Sequence, residues 1–489
     1  MVEEVHDIVK QFVVYFYRHI RERNVYEIHS MYESSFAKLT DRFFKDKPWP
    51  PVEVIAPLVD DDHVFCLLYK EMYYRHLYAR LQPTLEQRCE SWDNYCALFQ
   101  VILNTNINMQ LPNLWLWDMV DDFVYQFQSF CAYRSKLKLK SPKEIAVLRE
   151  ADQVWNALGV LNYLQALVDK SDIVSVLKGE REGGDRSFTE TDGYGYGKGS
   201  NVLKALGYFS LIGLLRVHCL LGDYHSALRS AEALGASEGR AGAALYQRVT
   251  GCHISVFYYS GFCHLMKREY TLAARAFNSI LLYISRTKQF HTQTAAYDQI
   301  IKRNEEMHAL LAICSALCPQ ERAIDEGVHK AVLEKHGDKL QRMSAGQQGG
   351  FNELFTYACP KFVTPVPPNY DDTSADTSQD AYKLQLSIFM EEVRQQARLP
   401  KLRSYLRLYT TIPVAKLASF MEVTESELMA LLMAFKHKLG GGEGENEGLH
   451  FYVEDKVIHV SDAKVEKKHG DFFASNIVRL HELTKELSV

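Results

Sequence analysis

The chain has 489 residues, 47% of them hydrophobic and 24% charged, with a formal net charge of −5 and a sequence pI near 6.4. That length exceeds one hydrophobic core and fits about three structural units of ordinary globular composition. The acidic balance excludes a global basic field for non-specific nucleic-acid binding, and no uncharged apolar run reaches the ~18 residues of a membrane span.

The N-terminus enters an amphipathic helix directly, with Val5, Ile8, Val9, Phe12, Phe16 and Ile20 as its stripe, so the reading expects no signal peptide. Asp60-Asp61-Asp62-His63 has metal-ligand chemistry, but consecutive residues on one turn cannot all face one ion. They read instead as N-terminal charges of the helix that follows. Thr84 and Gln87 form a capping box ahead of a stripe of Leu85, Cys89, Trp92, Cys96, Phe99 and Leu103. After Pro112 comes another stripe, Trp117, Val120, Val124, Phe127 and Cys131. Leu116, Met119, Phe123 and Phe130 lie off it, which predicts helices packed between neighbours. The 28 Tyr and 25 Phe, clustered as at Tyr69, Tyr73, Tyr74 and Tyr78, read as packing between helices more than as base-stacking platforms.

Lys136, Lys138, Lys140 and Lys143 make the densest basic run, a candidate RNA contact whose plain alternative is a solvated linker. A weak repeat follows. Leu221-Gly222-Asp223-Tyr224 with Ala227 and Ala231 recurs 46 residues on as Tyr270, Ala273 and Phe277. A turn, an aromatic and then small residues is how tetratricopeptide-type hairpins interlock, with Gly235 to Ala244 absorbing the excess length. Gly179 to Ser200, Ser344 to Gly350, Asp371 to Asp380 and Gly440 to Gly448 read as exposed loops. The first resembles a phosphate loop only superficially, because Lys198 is followed by Gly199 and no apolar strand precedes it.

The ten cysteines lack zinc-site spacing, Cys314 and Cys318 included. Cys66, Cys96, Cys131, Cys219 and Cys263 sit in apolar runs and read as small buried hydrophobes, which fits a reducing, cytosolic compartment. No catalytic constellation, metal site or cofactor motif is visible, so catalytic, metal and cofactor residues are all assigned as none.

The last hundred residues are the most informative. Pro413 sits at a first-turn position before Val414, Leu417, Ala418 and Met421. Thr424 and Glu427 form a capping box before Leu428, Leu431, Leu432, Phe435 and Leu439, and Gly440 stands where a C-cap is expected. Leu449 to Ser461 alternates around Glu454-Asp455-Lys456 as a hairpin does. Two helices and a hairpin predict a winged-helix unit. Its second helix would face outward with Ser426, Ala430, Met433 and His437 and is charge-balanced, which favours protein docking over base reading. Asp471 is a candidate cap for a final helix whose stripe is Phe473, Ile477, Leu480, Leu483 and Leu487. With no later residues to cover it, that stripe predicts docking onto partner helices, the plain alternative being packing back onto the wing. Lys464, Lys467 and Lys468 are a second candidate RNA contact.

The fold class expected is an all-α, tetratricopeptide-like solenoid, then a small α+β winged helix and a C-terminal helix. This order resembles the PCI domain family of scaffolding subunits in the proteasome lid, the signalosome and translation initiation factor 3. The runs Leu68 to Arg80, Leu111 to Phe130, Leu206 to Tyr224, Asn304 to Ile313 and Leu408 to Phe420 are similar to an initiation factor 3 subunit. So are Pro48-Trp49-Pro50, Val54 to Pro57, Pro83 to Arg88, Phe435 to Lys438 and Gly470 to Phe473. The resemblance implies a non-catalytic cytoplasmic scaffold in a complex that binds the small ribosomal subunit, with the K and E subunits as close partners and RNA contact weak. Expected boundaries are 1–145 for an N-terminal helical region, 146–266 for helical repeats, 267–462 for a PCI domain (winged helix 399–462) and 463–489 for a bundle helix. A proteasome-lid or signalosome subunit, or a winged-helix RNA-binding protein, remains the alternative.

Overall fold

The computed structural model describes residues 5–105, 107–184, 187–194, 199–235, 244–291, 297–318, 324–371, 377–440, 450–461 and 464–487. These residues are mostly helical, and the strands among them form one small antiparallel sheet. Two compact units emerge: residues 1–314, 320–337 and 354–386 in the first, and 315–319, 338–353 and 387–489 in the second.

The first unit is organised around the helix Val202–Leu221. That helix is long and apolar enough to cross a membrane by length and composition, yet 83% of its most apolar window is buried inside the protein. Small residues make this burial possible. A Cβ on Gly207 would lie 1.9 Å from the Ser171 hydroxyl oxygen, and one on Gly213 would lie 2.9 Å from Val120. Helix Ala157–Ser171 therefore packs closely at both glycines, and Asn113–Arg134 at Gly213.

The predicted hairpin pattern is present on both of its hits. Gly222 ends the first helix in the left-handed region (φ 83°), and the Asp223 side chain accepts from Ser226 N to start Tyr224–Glu232. Ala227 and Ala231 are buried there, as are Ala273 and Phe277 in Tyr270–His291. Gly261, on the preceding helix Thr250–Met266, leaves the room that Phe277 fills. Most of the predicted loop Gly235 to Ala244 lies outside the described residues.

Between Gly179 and Ser200, residues 185–186 and 195–198, with Gly195, Gly197 and Lys198 of the glycine-rich run, lie outside the described residues; the described ones are not the exposed loop expected from the glycines. Ser187–Glu190 is a helical turn, Phe188 is buried, and the Glu180 carboxylate accepts from Thr189 N and Oγ1 at 3.1 Å each. Asn113 Nδ2 donates to Asp192 O at 3.0 Å, and the Arg248–Asp192 ion pair holds the far side. One buried ring outweighed the turn-forming composition. Around Ser344 to Gly350 the connection is shorter than expected, because a helix resumes at Gln348; Gly346 makes the turn at φ 86°. Of Asp371 to Asp380, residues 372–376 lie outside the described residues, as do 441–448 of the last predicted loop and Leu449 of the predicted hairpin.

In the second unit, β1 (Thr411–Pro413), β2 (His450–Glu454) and β3 (Val457–Ser461) pair in the order β1-β3-β2. The register places Ile412 opposite Ile458 and Phe451 opposite Val460. Asp455 and Lys456, at φ 48° and 60°, form the two-residue turn that this hairpin needs. Pro413 is a correction: it ends an edge strand, where a missing N–H costs no ladder bond, and the helix Val414–Met421 starts after it. The Thr424–Glu427 capping box forms, with Glu427 N donating to Thr424 Oγ1 at 3.3 Å and Thr424 N to Glu427 Oε2 at 3.2 Å. One core joins Leu399, Leu402 and Leu406 to Leu417, Leu428, Leu431, Phe435, Phe451 and Ile458.

The last helix is longer than expected. It runs Lys464–Leu487, so Asp471 lies inside it rather than at its cap; Val465-Glu466-Lys467-Lys468 are adequate helix formers and carry the helix backward.

Candidate docking surfaces

Helix Glu425–Gly440 turns Leu428, Leu431, Leu432 and Phe435 inward and buries them. Its outward side carries Ser426, Ala430 and His437, all exposed, with Met429 and Met433 beside them. Met433 is 70% exposed, a large apolar side chain left in water where a base-reading helix would carry a hydrogen-bonding one. Across the hairpin, Tyr452 stacks on His459 with centroids 5.0 Å apart, and both lie outside the core.

The terminal helix Lys464–Leu487 presents Phe473, Ile477, Leu480 and Leu483 at 62%, 66%, 62% and 47% exposure. Spacings of four, three and three put them on one side. Phe472 was not singled out from the sequence because it breaks that spacing, yet it is 61% exposed and packs edge-on against Phe473 at 5.7 Å. It widens the stripe. The Leu487 side chain lies outside the described residues, as do those of Lys464, Lys467 and Lys468 in the first turns.

The basic run of the first unit divides. Lys136, Lys138 and Lys143 are exposed. Lys140 is half-buried with its Nζ over the Tyr133 ring; burial pushes its amine down to about 8, although the Glu144 carboxylate opposes this. Tyr133 donates to Glu144 at 2.9 Å, and Glu144 closes a capping box with Ser141. Helix-starting chemistry thus accounts for part of this run.

The most perturbed ionisable groups stand elsewhere. Glu71 is fully buried and accepts from Trp115 Nε1 at 3.0 Å and from Arg75. Arg75 also pairs with Asp122 at 2.9 Å and Asp118 at 3.5 Å, and Tyr32 donates to Asp118 at 2.6 Å. Burial raises Asp118 and Asp122 to about 7 against the opposing pull of Arg75, and it raises Glu71 well above the usual carboxylate range. One guanidinium serves three carboxylates, so the group ties helix His63–Arg80 to Asn113–Arg134. Asp62, by contrast, caps its helix by accepting from Phe65 N at 3.0 Å, while Asp60 and Asp61 take left-handed backbone. Cys131, Cys219 and Cys263 are buried, whereas Cys66 and Cys96 are only half-buried. Among the described residues, no group of three or more His, Cys, Asp or Glu is placed to hold a metal ion.

Buried helical pairs with some apolar side chains left outward define the class as a mostly helical protein. Residues 87–480 match the family described as RNA polymerase I-associated factor PAF67. The chain is 45% identical to eukaryotic translation initiation factor 3 subunit L of Nematostella vectensis, covering 98% of this chain and 92% of the relative. It is 45% identical to the Xenopus laevis protein of that name and 44% identical to the human one, covering 98% of this chain and 90% of each. The chain belongs to the family of eukaryotic translation initiation factor 3 subunit L.

Proposed function

We propose that this protein is a non-catalytic scaffold subunit of the translation initiation factor 3 complex. In that role it helps the complex bind the small ribosomal subunit, assemble the 43S pre-initiation complex and recruit messenger RNA in the cytoplasm. Family membership supports the complex; the exposed Phe473, Ile477, Leu480 and Leu483 stripe carries the scaffold role. Fully burying such side chains is worth about 1.5–3 kcal/mol each, which a partner helix realises and water does not.

In this reading the sheet and helices of the second unit are a winged helix closing a PCI domain. Helical repeats over 146–266 lead into that domain over 267–462, after an N-terminal region over 1–145. Met433 and Ala430 form a wing-side docking face, and residues 463–489 enter a bundle with helices of neighbouring subunits, the K and E subunits first. RNA contact through Lys136, Lys138, Lys140 and Lys143, or through Lys464, Lys467 and Lys468, is secondary.

Affinity capture of the full chain from cells, with partners identified by mass, tests the reading. Initiation factor 3 subunits are expected, and recovery falls at least about tenfold for the pair Ile477→Asp and Leu480→Asp. Unchanged recovery, or proteasome-lid or signalosome subunits in their place, would overturn it.

A further inference from the structure

The docking reading leaves one surface of the second unit unused. From Val393 to Leu408 the helix Asp380–Leu408 carries five cations (Arg394, Arg398, Lys401, Arg403 and Arg407) and no acid, in a chain whose net charge is −5. Arg407 lies in the last turn, where the helix dipole accounts for it, and Arg394 pairs with Glu391 at 2.7 Å. Arg398 and Lys401 have neither explanation. They lie ten and seven residues before the helix end, are exposed, and make no ion pair among the described residues. Like charges on neighbouring turns destabilise a helix by a few tenths of a kcal/mol, so an external anion would relieve a real cost.

The row continues in aromatics. Tyr405 follows Lys401 by four residues and stacks on Phe420 with centroids 5.5 Å apart and planes at 27°. Tyr409 also stacks on Phe420, with centroids 6.4 Å apart and planes at 28°. All three rings pack against the core and stay half-buried. Beyond them the exposed Lys416 holds its Nζ 5.8 Å from the Phe420 centroid. Cations, then rings, then a cation follow one another on a single ridge.

We propose that this ridge binds single-stranded RNA, with Arg398, Lys401 and Lys416 on successive phosphates and Tyr405, Tyr409 and Phe420 offering ring faces to a base. An acidic peptide would satisfy the cations but has no use for the half-buried rings between them; a single strand uses both. The inference stands apart from the docking reading, since it involves no residue of the terminal helix.

Anisotropy of a labelled single-stranded RNA of about 12 nucleotides, titrated with the full chain, tests it. Three phosphate contacts predict an affinity loss of about 20-fold between about 50 and about 200 mM KCl. The pair Arg398→Gln and Lys401→Gln keeps the fold, since both side chains are exposed, and should weaken binding about tenfold while flattening the salt slope. Tyr405→Leu should weaken RNA binding without changing the slope. The pair Lys170→Gln and Lys330→Gln, exposed cations outside every contact proposed above, should leave both unchanged. No binding by the unmodified chain would overturn the proposal, as would affinity within twofold for the Gln pair. Equal binding of polyglutamate that ignores Tyr405→Leu would also overturn it and assign the ridge to acidic proteins.

Discussion

Two helices of similar length treat their apolar side chains in opposite ways. Val202–Leu221 is apolar on all sides and buried along nearly its whole length, with glycines at its two closest approaches. Lys464–Leu487 is apolar along one stripe and keeps that stripe in water. The first helix has spent its hydrophobic surface on its own fold. The second has surface left for another chain. The difference lies in distribution: apolarity all round demands neighbours within the chain, whereas a single stripe is satisfied by one partner from anywhere.

Breaking the buried side should cost most. Gly207→Val places a branched side chain where even a methyl carbon meets the Ser171 hydroxyl, and neither packed helix can retreat without opening the core. A loss of about 3 kcal/mol or more is expected, read as a fall in the urea midpoint. A companion Gly179→Ala, with nothing within 4 Å of the added methyl, should instead stabilise its helix by about 0.5–1 kcal/mol.

That contrast also separates what the chain's letters reveal from what they conceal. Leu428, Leu431, Leu432 and Phe435 announce their burial by spacing alone, and Thr424 announces its cap. The two-residue turn at Asp455 and Lys456 is legible because the flanking alternation brackets it. Residues Gly179 to Ser200 mislead because composition reports turn propensity while Phe188, one ring among glycines, decides the packing. β1 is hidden for a similar reason: Thr411-Ile412-Pro413 is too short for any period, and only its pairing with β3 makes it a strand. The Glu71–Arg75–Asp118–Asp122 group is invisible because it joins two helices through residues 43 to 47 positions apart.

That charged group supplies a pH test of the buried side. Asp118 and Asp122 titrate near 7 when folded and near 3.8 as free side chains, so the folded chain holds more protons between those values. Their contribution to stability is therefore fully present below about pH 4, falls as pH rises and levels off above about 7. Glu71, also raised, acts with the same sign. Replacing both aspartates by asparagine should flatten the unfolding midpoint across this window relative to the unmodified chain. An unchanged slope would mean that Arg75 keeps both carboxylates ionised.

Smaller again is the cap of helix Glu425–Gly440. Thr424→Ala removes the acceptor for Glu427 N and frees the first turn, at a cost of about 1 kcal/mol. Because the second unit has its own core, the loss should appear in hydrogen exchange of residues 424–435 before it appears in the first unit.

The smallest stability effect is the most discriminating. Ile477→Asp with Leu480→Asp puts two charges on side chains already more than 60% exposed, so folding alone gives no reason for a penalty. The midpoint of the isolated chain should move by no more than about 0.5 kcal/mol, the range of ordinary surface changes. Partner capture should nevertheless collapse, since a carboxylate driven into an apolar helix interface must be desolvated without a counter-charge. Had the stripe been covered by the chain's own residues, the same pair would cost several kcal/mol in the isolated protein and mimic Gly207→Val. Measuring both quantities on one variant therefore separates a helix that completes its own fold from one that completes an assembly.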